Sequence, residues 1–168
     1  MKLSDLMKIY TLAYWKYLKK HPVGAIECKN ADVLTMSRSY MLTESEIKTS
    51  IFDMERETST KRYKHWVMSK GKGVPSLYPL AHYFYFVLPR ELQDNAIVVI
   101  KNKYPYAGLM IFENKSIDIF KPKNIEMIKR AKRLDRPKVE LQELREIAYG
   151  STNTIMRCVD QYYLKRKK

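Results

Sequence analysis

Three short runs with strand character follow one another almost without connection: Val23 to Cys28, Ala31 to Met36 and Tyr40 to Lys48. Only Lys29-Asn30 and Ser37-Arg38-Ser39 separate them, and turns that short join antiparallel neighbours. This meander constrains the fold more than any other feature, because a later strand must add to its edge or cross over it. Ahead of it, Leu3, Leu6, Met7, Tyr10, Ala13, Tyr14, Tyr17 and Leu18 repeat at helical spacing up to about Lys20, and His21-Pro22 ends that helix. Behind it, Thr49 to about Ser69 reads as a second helix opened by Thr49 or Ser50, followed by turn signals from Lys70 to Pro75.

The run Ala81 to Leu88 is almost continuously apolar or aromatic, the pattern of a strand buried on both faces, and Pro89 closes it. Reaching it from the meander through a helix is most simply a crossover that makes a parallel pair. A short Glu91 to Lys101 segment and the Tyr104-Pro105-Tyr106 turn lead to Gly108–Phe112, which with Asn114-Lys115 and Ser116 to Phe120 predicts a hairpin. From Val139 to Lys168 the chain reads as helical, interrupted near Gly150-Ser151. The reading is a single α/β domain over 1–168 with a mixed sheet: a core of about 1–120 and a basic helical extension of about 121–168.

Within the meander the chemistry-bearing spacing is Asp32 on one strand and Glu46-Ile47-Lys48 on the next. Residues i and i+2 of a strand share a face, so Glu46 and Lys48 project together and Asp32 can meet them from its neighbour. Two carboxylates bind Mg²⁺ or Mn²⁺ with water and substrate phosphate completing the shell, and an adjacent lysine can orient the attacking water. Glu44 and Glu46 lie on one face and Thr43 and Ser45 on the other, so neither face has an ordinary core pattern. The competing reading is a polar strand face laced with Lys–carboxylate pairs.

A count of 32 Lys and Arg against 18 Asp and Glu, for a net charge of +14, favours a polyanionic partner, nucleic acid before a membrane surface. Arg62, Lys64 and His65 on the second helix, and Lys129, Arg130, Lys132 and Arg133 further on, are the candidate phosphate contacts. Trp66 and the tyrosines read as packing. Two cysteines outside any metal-binding spacing point to a reduced, cytoplasmic protein, and no apolar run approaches the roughly 18 residues of a membrane span.

With these residues in view, the chain resembles the PD-(D/E)XK nucleases, and more narrowly the MmcB-like DNA repair family and related phage proteins. Asn30-Ala31-Asp32-Val33 is similar to that family's arginine-alanine-aspartate-valine strand, and Glu46-Ile47-Lys48-Thr49-Ser50 with Asp53 to its "EIK-S-x-x-D" stretch. Lys64-His65, Tyr83 to Pro89 and Tyr104 to Leu109 resemble its lysine-histidine pair, its "FYFVVP" strand and its "PPYAGL" turn. The resemblance covers roughly residues 23–138. It implies a restriction-endonuclease-like fold and a metal-dependent DNA nuclease of repair, recombination or phage genome handling. Asp32, Glu46 and the Ile47 carbonyl would hold Mg²⁺ or Mn²⁺, Lys48 would act on the water, and Glu27 and Glu44 are further candidate ligands. Beside it stand a non-catalytic nucleic-acid-binding or adaptor protein of the same fold, and a basic assembly protein. DNA is the expected partner, a targeting protein or a second copy in a homodimer could join it, and no membrane is expected.

Overall fold

The computed structural model describes residues 1–70, 81–115 and 118–159, with side chains through residue 153. Six strands form one sheet in chain order: β1 (Val23–Cys28), β2 (Ala31–Met36), β3 (Leu42–Ile47), β4 (Tyr83–Pro89), β5 (Gly108–Phe112) and β6 (Ile125–Lys129). The first three are antiparallel, as their tight turns require. β3, β4 and β5 run parallel, and β6 returns antiparallel to β5. The helices are α1 (Leu3–Ala13), α2 (Ile51–Thr60), α3 (Arg62–Lys70), α4 (Gln93–Lys103) and α5 (Leu141–Val159). A π-helical turn, Tyr14–Leu18, continues α1.

Strand alternation decides which helix covers which face. Phe84, Phe86, Leu88, Leu109 and Ile111 share the face that packs on Met54 of α2, Met68 of α3 and Val99 and Ile100 of α4. On the same face, Ile147 of α5 covers Ala25, Leu34, Met36 and Leu42. The reverse face presents Ile47, Tyr85, Val87, Met110 and Phe112 to Met7, Tyr10, Tyr14 and Trp15. A mixed sheet between two helical layers in one domain is the arrangement expected of a restriction-endonuclease-like fold.

Four details depart from the sequence reading. The long helix after Lys48 is two helices, broken at Lys61. Ser59 and Thr60 turn their hydroxyls back onto the Arg56 carbonyl (2.7 and 3.3 Å), a bond that competes with the helical ladder. The partner of β5 is Ile125–Lys129, while the described part of the expected strand, residues 118–120, is a bend in which Asp118 accepts the amides of Phe120 and Lys121. α5 runs straight through Gly150-Ser151. A Cβ at Gly150 would stand 2.9 Å from Cys28 Sγ, so glycine there lets the helix lie close on β1. Finally, residues 121–159 are no appendage, since they supply β6 and α5. The turn residues Gly71 to Pro75, Ser116, and the basic end Lys165 to Lys168 lie outside the described residues.

The segment after β6 acts as a strap. The amides of Lys132, Leu134 and Val139 donate to the carbonyls of Tyr106, His82 and Tyr40 (2.9, 2.8 and 3.1 Å), residues just ahead of β5, β4 and β3. It therefore crosses the amino-terminal ends of the three parallel strands, leaving Lys48 at the opposite end of the sheet. Gly108 makes this crossing feasible, for a Cβ there would lie 2.3 Å from the Tyr85 ring and 2.7 Å from the Ala131 amide nitrogen. Gly108→Ala is expected to cost about 1–3 kcal/mol in urea unfolding, because backbone has to move to admit the methyl group. An unchanged midpoint would show that the strap is not closely seated.

Candidate functional site

The β2–β3 register pairs Val33 with Ser45 and Leu34 with Glu44, so the next step brings Asp32 opposite Glu46, on the face that also carries Glu44. The sequence reading of one shared face is thus met by the backbone. The side chains divide it. Asp32 turns to the strand end, where Oδ2 accepts the Ile47 amide (2.8 Å) and Oδ1 lies 3.1 Å from the Lys8 ammonium of α1. Lys8 also holds Glu27, at 3.1 Å.

Glu46 goes inward, under α3. Its Oε1 accepts from Lys61 (2.5 Å) and Lys48 (3.3 Å), and Lys64 stands 3.8 Å from its Oε2. Lys64 also donates to Glu44, and Lys48 donates to Glu57 (2.6 Å), whose other oxygen is 3.1 Å from Lys61. Three carboxylates and three ammoniums are therefore interleaved between β3 and the α2–α3 pair. Glu44, Glu46 and Glu57 are each 2–3 % exposed. Opposite charges this deep compensate one another's desolvation only through close geometry.

Burial pushes the Glu44 carboxyl up, to about 7, against the pull of Lys64. Burial would raise Glu57 too, but His65 and then Lys48 outweigh it and hold Glu57 well below its ordinary value. In Lys48 and Lys61 the loss of water is overcome by Glu46 and Glu57, so both ammoniums are held more firmly than in water. Burial lowers His65 below its ordinary value despite Glu57 at 3.5 Å. A neutral ring fits its surroundings: Nδ1 shares a hydrogen bond with the Tyr106 hydroxyl, 2.5 Å away, and Nε2 lies 3.5 Å from Glu57. Burial raises the Tyr106 hydroxyl out of the titrating range, so it keeps its proton.

This arrangement does not fit a divalent cation. Among the described residues, no three His, Cys, Asp or Glu side chains are grouped to hold one. Asp32 has its oxygens on an amide and Lys8, while Glu46 faces lysines. Glu27 and Glu44, the further candidate ligands, are drawn to Lys8 and Lys64. In the cluster, Oε2 of Glu46 and Oε1 of Glu57 are buried and make no hydrogen bond.

The candidate phosphate contacts separate as well. Lys64 and His65 are buried in this cluster, whereas Arg62 is exposed beside them. Lys129 clips the carbonyls of Pro105 and Ala107 (3.2 and 2.6 Å), which is a structural task. Arg130, Lys132 and Arg133 are on or near the strap surface, at the far end of the sheet from Lys48. Sequence reasoning missed Glu57, a helix residue whose role appears only when α2 is laid on β3, and the pairing of Lys61 with Glu46 and Glu57. It also placed Trp66 in the packing, although the ring is 46 % exposed. At the carboxyl end of β3, a cavity of about 330 Å³ is lined by Lys48, Thr49, Asp53, Arg56 and Glu57, with Ser4 from α1.

No family model matches the chain, and no curated protein does. A solved structure, a protein of unknown function from Silicibacter pomeroyi, is similar over 98 % of this chain and 94 % of that one, with a TM-score of 0.58 at 12 % identity. That likeness shows the fold: a single-domain α/β unit with a six-stranded mixed sheet. No described helix is long and apolar enough to cross a membrane.

Removing one charge from the buried set leaves its partners uncompensated. Glu57→Gln is expected to cost about 3–5 kcal/mol at pH 7 in urea unfolding. Because Glu57 titrates below its ordinary value of 4.5, its stabilisation is complete above that pH and fades as the pH falls through the folded-state value. The gap between wild type and variant should therefore narrow below about pH 4.5, and a gap constant with pH would contradict the assignment.

Proposed function

We propose that this protein binds nucleic acid through its basic surface, using a nuclease-like sheet whose β3 carboxylates serve as internal counter-ions. The observation that carries this reading is the closure of Glu46 by Lys48, Lys61 and Lys64 beneath α3. Three acids are spent inside on three lysines, so the excess of +14 is carried by the rest of the chain. Arg130, Lys132, Arg133 and Lys138 are exposed along the strap, where backbone bonds to three strand ends hold their spacing. Such a surface neutralises phosphates and does not read bases, so its affinity falls steeply with salt.

A second reading, metal-dependent hydrolysis of DNA as the PD-(D/E)XK resemblance implies, draws on one observation. Asp32 stands opposite Glu46 in the strand register, next to Ile47, on the face of Lys48. It requires a cation to displace Lys61 and Lys64 from Glu46.

The test is fluorescence anisotropy with labelled single-stranded and duplex DNA, in Mg²⁺, Mn²⁺ or EDTA, across a salt series, with the strands then run on a denaturing gel. Binding is expected to be independent of metal, with intact strands. Replacing Arg130, Lys132, Arg133 and Lys138 together by Gln should reduce the slope of log affinity against log salt by roughly two to four. Absence of binding at low salt would overturn the proposal. Metal-dependent cutting that is lost in Glu46→Gln would establish the second reading instead.

A further inference from the structure

α3 is amphipathic in an unusual way. Its buried side holds Lys64, His65, Val67 and Met68, while Arg62, Tyr63, Trp66 and Ser69 face outward. Tyr63 and Trp66, one turn apart, are 45 % and 46 % exposed, with ring centroids 6.0 Å apart and planes inclined by 30°. Two large aromatic rings stacked at the surface present apolar area and π-faces to the solvent.

Beside them lies an open cavity of about 530 Å³, bounded by Arg62, Trp66 and Ser69 of α3, Ser59 of α2, Lys103 at the end of α4, and Tyr106. Its lining has two permanent cations, several hydroxyls and no carboxylate, unlike the cavity over Lys48, which includes Asp53 and Glu57. Lys103 is half-exposed and only loosely paired, 3.7 Å from Glu55, a surface contact a phosphate can displace. The floor is tied to the core, since Tyr106 is bonded to His65 and His65 faces Glu57 in the ion cluster.

We infer that this face is a base-stacking site for single-stranded nucleic acid, with a base laid on the Trp66–Tyr63 rings and its phosphates on Arg62 and Lys103. The inference rests on the nucleic-acid-binding reading and deepens it by naming the form of the strand. A duplex keeps its base faces stacked on one another, so it can use the cations but not the rings. Every base in a single strand has an open face, and stacking on an aromatic side chain contributes about 1–3 kcal/mol per base.

The experiment compares oligo-dT with a duplex of equal length, by anisotropy, for the wild type, Trp66→Ala and Trp66→Phe, with circular dichroism as a check on folding. Intrinsic fluorescence adds a direct readout, because Trp15 is buried against Ser45 and His21 while Trp66 is open. Oligo-dT should quench the wild-type emission. Trp66→Ala should weaken oligo-dT binding at least five-fold, leave duplex binding within two-fold and remove most of the quenching, and Trp66→Phe should recover part of the affinity. Equal losses on both DNAs, or unchanged oligo-dT binding in Trp66→Ala, would overturn the inference while leaving nucleic-acid binding standing, the second result pointing to a protein contact at α3. Failure of the wild type to bind either DNA would overturn both.

Discussion

The ion cluster under α3 is the interaction on which the rest of the site depends. Glu44 and Glu46 occupy positions on β3 where the neighbouring strand places Phe84 and Phe86, so the sheet itself drives them into the interior. Carboxylates cannot remain there uncompensated. Lys64 can reach them because α3 lies over that face, and Lys61 because the chain leaves helical geometry at the α2–α3 break. Lys48 completes the set by turning back along its own strand to Glu46 and across to Glu57. The helix break, the packing of α3 and the burial of charge are thus one arrangement, and each would be unfavourable without the others.

The cluster also organises the surface around it. Glu57 borders the cavity over Lys48 and, through His65 and Tyr106, supports the floor of the cavity beside Trp66. At the other end of the sheet the strap carries cations over the amino-terminal ends of β3, β4 and β5, and Arg136 ties it to α3 by donating to the Val67 carbonyl (2.9 Å). α3 is therefore the element common to the buried charge, the exposed rings and the basic strap.

Much of this fold could be read from the residues. The meander, the parallel strand after it and the first helix all follow from strong local patterns, with short turns, an unbroken apolar run and helical spacing. The β5 partner was not legible, because Ser116 to Phe120 and Ile125–Lys129 are similarly short and only tertiary pairing chooses between them. α5 looked broken at Gly150 because a local rule takes glycine as a stop, whereas here it admits the Cys28 side chain. At the site, strand alternation was enough to put Asp32, Glu46 and Lys48 on one face. Side-chain direction was not, since it depends on Lys8 from α1 and on Lys61 and Lys64 from helices whose placement over β3 is a long-range fact. The exposed Trp66 was missed for the same reason: its helical spacing fits burial until Val67 and Met68 take the inward positions.

Lysine, and not metal, meets the charge of Glu46 in this arrangement. The measurement that decides it is a titration of the protein with Mn²⁺, followed through the free ion by electron paramagnetic resonance, with and without bound DNA. Wild type and Glu46→Gln are expected to remove the same small amount of Mn²⁺ from solution. A stoichiometric site in the wild type that disappears in Glu46→Gln would contradict it.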